Sequence, residues 1–315
     1  MKKKIRCSFI DFWPGFDYKY HLNFLLSEYD IIIDKENPDY LFYSCFGYEH
    51  LRYNRCIKIF YCGENLIPDL NLCDYAVSLS EIQCGDRTLT NRLYGWRNNY
   101  HPDWDTEKLL NRKFCNFVYS NNRCADPFRE KIFNALSKYK RVDAGGGFLN
   151  NMGEKVKDKH LFLKEYKFTL AIENSSQPGY VTEKIFDPFR AQSLPIYWGS
   201  LSISSNIRSN SFVNLMDFLT IEDMVEEIIR LDNDDAAYLE KITTPFWPYG
   251  NGFMDYYNGE REKQLVFFRN IFDQPLSKAY RRTEYGFVQN RIKELIIEKK
   301  ISGPLKKFVK KILRR

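Results

Sequence analysis

Apolar and polar positions fall in short alternating blocks along this chain. In the first hundred residues the apolar runs Ile5–Ile10, Ile31–Ile33, Tyr40–Tyr43, Ile57–Tyr61 and Tyr75–Leu79 read as buried strands. Further on, Cys115–Tyr119, Phe168–Ile172, Leu194–Trp198 and Phe212–Leu215 read the same way. Helical spacing occupies Pro127–Tyr139, Lys159–Tyr166, Thr182–Gln192, Glu222–Leu231, Ala236–Ile242 and Glu260–Phe272. Strands alternating with helices predict parallel sheets of the α/β class. The polar stretch Asn98–Lys113 separates two such series, so two Rossmann-like lobes are expected, with ligands bound where strand ends face a central cleft.

Composition changes this picture little. The 315 residues are 44% hydrophobic and 28% charged, an ordinary balance for a globular protein that excludes a disordered, collagenous or integral-membrane chain. Aromatics reach 17%, with 22 Tyr and 25 Phe, which suits cores and sugar-binding surfaces alike. Trp13, Phe16, Tyr18, Tyr94 and Trp96 fit either use. The eight Cys form no Cys-x-x-Cys pair and the four His show no metal-ligand spacing, so reduced thiols and no structural zinc are expected.

Charge adds one feature. Residues 298–315 hold eight basic side chains against Glu298, a net +7, which leaves −1 of the total +6 on the rest. Leu305, Phe308, Val309, Ile312 and Leu313 line one helical face of this tail, and Lys and Arg fill the other. A basic amphipathic helix of this kind lies in an anionic membrane interface, docks on the body, or binds nucleic acid; the near-neutral body argues against the last. No segment reaches the roughly 20 apolar residues that span a bilayer. No secretory apolar core follows Met1-Lys2-Lys3-Lys4. The expected location is cytoplasmic, peripheral on the inner membrane surface through residues 305–315.

The densest chemistry lies between Phe168 and Gly199. It reads as a buried strand, a polar loop, a helix capped by Thr182, and a second buried strand. Glu173-Asn174 falls at a strand's C-terminal end, where open α/β sheets bind ligands. Glu183 and Lys184 occupy the first helical turn, whose free N–H groups and positive dipole end suit a diphosphate. The same residues also fit a capped surface helix with solvated charges.

Glu173-Asn174, then Gly179-Tyr-Val-Thr-Glu-Lys184, then Pro195-Ile-Tyr-Trp-Gly199 resemble the donor signature of family 10 glycosyltransferases, the α-1,3/4-fucosyltransferases, nearest the bacterial members that build Lewis-type antigens. Phe60-Tyr-Cys-Gly-Glu-Asn65, Asn71-Leu-Cys-Asp-Tyr-Ala76 with Asp86-Arg87, and Asn116-Phe-Val-Tyr-Ser-Asn121 with Arg129 follow the same family in the same order. The resemblance spans about residues 55–220. It implies a GT-B fold, divided here into an acceptor-binding lobe at 1–105, a donor-binding lobe at 106–275 and a C-terminal helical segment with the basic tail at 276–315. It implies GDP-fucose as donor and inverting transfer to N-acetylglucosamine of a lactosamine-type glycan, α-1,3-linked, in lipopolysaccharide O-antigen or surface glycan synthesis.

The resemblance also implies roles. Glu64 matches the general base, and a carboxylate after an apolar strand and Gly63 is expected to be partly buried. Arg129 and Lys184 match diphosphate contacts, Asn174 and Tyr180 further donor contacts, and Glu183 a carboxylate near the transferring sugar. No metal or cofactor is implied; stimulation by Mn or Mg stays open. Read as residues alone, Glu64 also fits a loop cap and Arg129 a helix-surface charge. Another nucleotide-sugar transferase and a non-catalytic glycan-binding protein are the rival readings.

Three local features depart from or mimic known patterns. Pro188 falls inside the predicted helix, beyond its first turn. Gly145-Gly-Gly147 lacks the Lys-Ser/Thr of a phosphate loop, and tight turning is its expected reason. Asp232-Asn-Asp234-Asp235 imitates an Asp-x-Asp metal motif but sits between two helices, where Asp caps.

Overall fold

The protein was analysed as a computed structural model, which describes residues 2–93, 100, 102, 104–248, 252–282, 300 and 303–304. Two compact units emerge. The first comprises the chain to Ser78, Ile82–Thr90 and the described residues from Glu262 onward; the second comprises Leu79–Glu81 and Asn91–Arg261. These bounds differ from the three segments expected, with divisions at 105/106 and 275/276. The Phe253–Phe272 helix begins in one unit and ends in the other, because its last residues carry the apolar face that the first sheet needs.

The first unit holds β1 (Lys3–Ile10), β2 (Tyr29–Ile33), β3 (Tyr40–Tyr43), β4 (Ile57–Tyr61), β5 (Tyr75–Ser78) and β6 (Thr88–Thr90), all parallel, in the order β2-β1-β3-β4-β5-β6. Ile5, Cys7, Phe42, Ile59 and Val77 pack against Phe267, Phe268, Ile271 and Phe272 of the long helix. The chain then returns to this sheet. Arg281 and Arg282 donate their backbone N–H groups to Asp74 at 2.8 Å each, and the Arg282 Nε lies 3.0 Å from the same buried carboxylate.

The second unit holds β7 (Lys113–Phe117), β8 (Val142–Ala144), β9 (Tyr166–Ile172), β10 (Leu194–Trp198) and β11 (Val213–Asn214), again parallel, in the order β11-β10-β9-β7-β8. Both faces of this sheet are covered, which explains why β9 and β10 are buried almost throughout. Phe168, Leu170, Ile172, Leu194 and Ile196 meet the Phe128–Ser137 and Ile221–Asn233 helices through Ile132, Leu136, Met224 and Ile228. Ala171 and Tyr197 point to the other face, against Ile185, Phe186, Phe189 and Phe246.

Counted within its own unit, each sheet follows the order 2-1-3-4-5, with a sixth strand at one edge of the first. This is a doubly wound arrangement whose winding reverses between the first and third strands, the place where such sheets bind ligands.

Some expectations change. The helix around Pro188 runs unbroken from Glu183 to Ala191, although that proline offers no N–H to the preceding turn. Several short elements were not expected, among them β6, β8 and the Thr106–Leu110 helix, which Asp105 caps inside the stretch read as a linker. The Gly145–Gly147 run has no positive φ. Its reason is close approach: a Cβ on Gly146 would stand 2.1 Å from the Tyr119 carbonyl oxygen. The tail at 305–315, Tyr94 and Trp96 lie outside the described residues. No helix among the described residues is long and apolar enough to cross a membrane.

Gly146→Ala is therefore expected to destabilise the second unit by about 2 kcal/mol or more, because backbone rather than a flexible side chain must move. Thermal unfolding of the two proteins side by side checks this.

Candidate functional site

The second unit's winding reverses between β7 and β9, and the sequence-predicted donor residues gather there. Tyr119 leaves β7 with its ring buried. Its hydroxyl donates to the Leu170 carbonyl at 2.9 Å and accepts the Ile172 N–H at 2.6 Å, which locks the ends of the two strands together. Burial pushes the Tyr119 phenol up to about 12, so it stays a neutral donor.

Arg129 sits in the first turn of the Phe128–Ser137 helix, only 1% exposed. Its guanidinium carbon lies 4.1 Å from the Tyr119 ring centroid. One terminal nitrogen donates to the Ile172 carbonyl at 3.1 Å and to Asn174 Oδ1 at 2.6 Å. No carboxylate pairs with it among the described residues, and its buried Nε has no hydrogen-bond partner there. Such a cation is poorly compensated by the protein alone. Arg129 is thus no helix-surface charge.

Asn174 has two tasks. Its side chain orients Arg129, and its carbonyl accepts the Asp126 N–H at 2.8 Å, which fixes the turn leading into the same helix. One residue earlier, Glu173 is fully buried. Its carboxylate accepts the Thr182 N–H at 2.8 Å and the Thr182 hydroxyl at 2.9 Å, and stands 3.0 Å from Lys184 Nζ. Burial pushes the Glu173 carboxyl up, against the pull of Lys184 and Thr182. Burial opposes the charge of Lys184 too, but Glu173 and Glu183 outweigh it and raise that ammonium above its ordinary range. Lys184 is therefore cationic at any working pH.

Glu183 differs from its buried neighbour. Its side chain is 45% exposed and 3.5 Å from Lys184 Nζ. Burial alone would raise its carboxyl; Lys184 and Lys159 overcome that and hold it below the ordinary carboxylate range. Tyr180 is buried, with its ring centroid 6.0 Å from Lys184 Nζ.

The glycines of the motif have steric reasons. Gly179 adopts a φ of +83°, and a Cβ there would stand 2.1 Å from the Leu79 carbonyl oxygen. Its N–H donates to the Ser200 and Ser202 hydroxyls at 3.0 Å each, which pins the Gln177–Gly179 loop to the exit of β10. A Cβ on Gly199 would stand 2.5 Å from Cγ of Glu173.

Arg129, Asn174, Tyr180, Glu183 and Lys184 are thus brought together in one unit. Glu64 belongs to the other. It follows β4 and is exposed, not partly buried as expected, and its N–H lies 3.3 Å from the Cys62 sulfur. Trp13 and Phe16 pack in one aromatic cluster with Phe12 and His21, Phe16 stacking on Phe12 at 3.8 Å. Asp232 is engaged by Lys140 and Lys167, and Asp234 caps the Asp235–Thr243 helix. Among the described residues no three His, Cys, Asp or Glu side chains converge as metal ligands.

Two residues outside the expected set organise the site: Tyr119 and Glu173. The available signal was positional. Each is a hydrogen-bonding group just past the end of a buried strand, where burial forces it to find partners.

Glu173→Gln removes the buried charge while keeping the shape. It should lower stability by on the order of 3 kcal/mol, the cost of leaving Lys184 without its counter-charge. Thermal denaturation should show the loss, and Thr182→Ser, which retains the hydroxyl, should not.

Comparison with known proteins agrees with this geometry. The family model of the alpha-(1,3)-fucosyltransferase FucT N-terminal domain matches residues 7–96, and that of the glycosyltransferase family 10 (fucosyltransferase) C-terminal region matches residues 110–243. An alpha-(1,3)-fucosyltransferase FucT of Helicobacter pylori is 32% identical across 80% of this chain. The chain spans 62% of that relative's length. A 3-galactosyl-N-acetylglucosaminide 4-alpha-L-fucosyltransferase of Bos taurus is 31% identical over 46% of this chain and 41% of its own. A solved alpha1,3-fucosyltransferase with GDP-fucose superposes with a TM-score of 0.71 at 28% identity, covering 87% of this chain and 92% of its own. One solved with GDP gives 0.72 at 27% identity, covering 87% and 91%. With both its halves matched in order and two doubly wound parallel sheets of the kind found in the GT-B fold, the chain belongs to the family 10 fucosyltransferases.

Proposed function

We propose that the chain transfers fucose from GDP-fucose to N-acetylglucosamine of a lactosamine-type glycan, α-1,3-linked, in a single displacement with inversion. The observation that carries this reading is the pair of cations, Arg129 and Lys184, held at the winding reversal of the second sheet. Arg129 lacks a carboxylate partner among the described residues, which suits a ligand that brings its own negative charge. The solved relatives named with GDP and with GDP-fucose support a guanosine diphosphate donor.

The chemistry needs two things from the protein. An acceptor hydroxyl is a weak nucleophile, so a carboxylate must take its proton as it attacks. Glu64 serves as that base, exposed on its loop where an acceptor reaches it. The leaving diphosphate gains negative charge as the glycosidic bond breaks. Arg129 offers planar donors already aimed by Tyr119 and Asn174, and Lys184 adds a fixed positive charge, so both stabilise charge that develops in the transition state. Glu183, ionised and half-exposed, faces the positive charge of the transferring sugar. Asn174 and Tyr180 complete the donor site, the first by orienting Arg129 and the second by packing beside Lys184. The basic stretch at 305–315 is assigned, from its pattern, to an anionic membrane surface.

GDP release from GDP-fucose, with and without N-acetyllactosamine, tests this. Release should depend on the acceptor and fall about a hundredfold or more in Glu64→Gln. Release that survives the substitution removes Glu64 as base, and no acceptor-dependent release in the unmodified protein removes the proposed reaction.

A further inference from the structure

Two thiols of the first unit lie beside the Glu64 loop, and the proposed reaction does not use them. The parallel pairing of β3 with β4 ends at Tyr43 opposite Phe60. Two residues past each of these, just beyond the strand ends, stand Cys45 and Cys62, in the same apolar cluster as Tyr43 and Phe60. Their sulfurs are 3.7 Å apart, with the Cys62 thiol donating to Cys45. Closing the bond needs an approach of about 1.6 Å between the sulfurs, from 3.7 Å to the length of an S–S bond.

The two thiols are chemically unequal. Cys45 is half-buried and Cys62 buried. The hydrogen bond from Cys62 brings the Cys45 thiol down to about 7, against its own burial, while Cys62 is held above the ordinary thiol range. Half of an attacking and resolving pair is thus a reachable thiolate, and the other half waits beside it with its proton already directed at that sulfur.

We propose that Cys45 and Cys62 form a reversible oxidation site for hydroperoxides, whose disulfide displaces the Glu64 loop. The Cys45 thiolate attacks a peroxide oxygen; the S–O bond forms, the O–O bond breaks, and peroxide is reduced to hydroxide while the sulfur becomes a sulfenic acid. The Cys62 sulfur then attacks the Cys45 sulfur. The S–S bond forms, the S–O bond breaks, and hydroxide leaves with the Cys62 proton as water. Two thiols and one hydrogen peroxide give one disulfide and two waters. The sulfur that moves is the one that accepts the Glu64 N–H at 3.3 Å, so the backbone of the proposed base moves with it. This last step rests on the role given to Glu64; the disulfide itself does not.

The test uses the full chain, reduced, desalted and treated with hydrogen peroxide, then alkylated and mapped by peptide mass spectrometry. A Cys45–Cys62 linkage that dithiothreitol reverses is expected, together with a fall in acceptor-dependent GDP release of about tenfold to a hundredfold, the range for a misplaced catalytic group. Cys45→Ala should keep the reduced-state rate and lose the reversible fall; Cys62→Ala serves the same purpose if the first variant folds poorly. Cys45 recovered as sulfinic or sulfonic acid beside an alkylated Cys62 would overturn the site. A linkage without change in rate would overturn the displacement of Glu64. If the reduced chain releases no GDP with lactosamine, the proposed reaction fails on its own, and the linkage map alone decides the thiol pair.

Discussion

A carboxylate buried without solvent holds the candidate site of this protein together. Glu173 lies directly after a strand buried along its whole length and satisfies its oxygens with the N–H and hydroxyl of Thr182 and with the ammonium of Lys184. Those contacts set where the Glu183–Ala191 helix begins, and therefore where its first-turn side chains stand. Gly199 must be glycine because Glu173 fills the space of its Cβ. The charge pair is thus one constraint with several consequences: a helix start, a glycine, and a lysine kept cationic in a place that burial would otherwise neutralise.

Fold and site are connected by the same logic. A sheet wound in the order 2-1-3-4-5 leaves a gap in its covering at the reversal, and the buried polar groups there satisfy each other across the strand ends. Tyr119 closes the strands across that reversal and supplies a ring face for Arg129. Asn174 turns the guanidinium toward it and ties down the preceding loop. Arg129 is positioned by Tyr119, Asn174 and a strand end, and Lys184 by the buried Glu173 carboxylate, so little reorganisation is needed when an anionic ligand arrives. In the first unit the same winding order carries Glu64 on an exposed loop after β4, beside two thiols just past the ends of β3 and β4.

Much of this was legible in the sequence. The strands Tyr40–Tyr43, Ile57–Tyr61 and Leu194–Trp198 match their apolar runs, since a strand buried on both faces leaves no polar residue to blur its ends. Thr182 read as a cap and is one. β6 and β8 were not legible because three residues make no periodic pattern, and Thr88-Leu-Thr90 has only one apolar position. The unit boundary was hidden because Phe267 to Phe272 follow their helix in sequence but pack on a sheet formed far earlier in the chain. Glu64 read as partly buried from its apolar approach; burial ends at Gly63, and the carboxylate beyond it is free of the sheet. The roles of Glu173 and Tyr119 depend on which strand ends are neighbours, which spacing along the chain does not encode.

The central claim is that Arg129 and Lys184 hold a diphosphate at the reversal of the second sheet. Calorimetric titration of the full chain with guanosine, guanosine monophosphate and GDP tests it directly. Affinity should rise at least about tenfold from guanosine to GDP, as expected when charged phosphates meet preorganised cations. Lys184→Met should erase most of that gain while leaving guanosine binding unchanged. Equal affinity for guanosine and GDP, or a gain that persists in Lys184→Met and in Arg129→Met alike, would contradict the account.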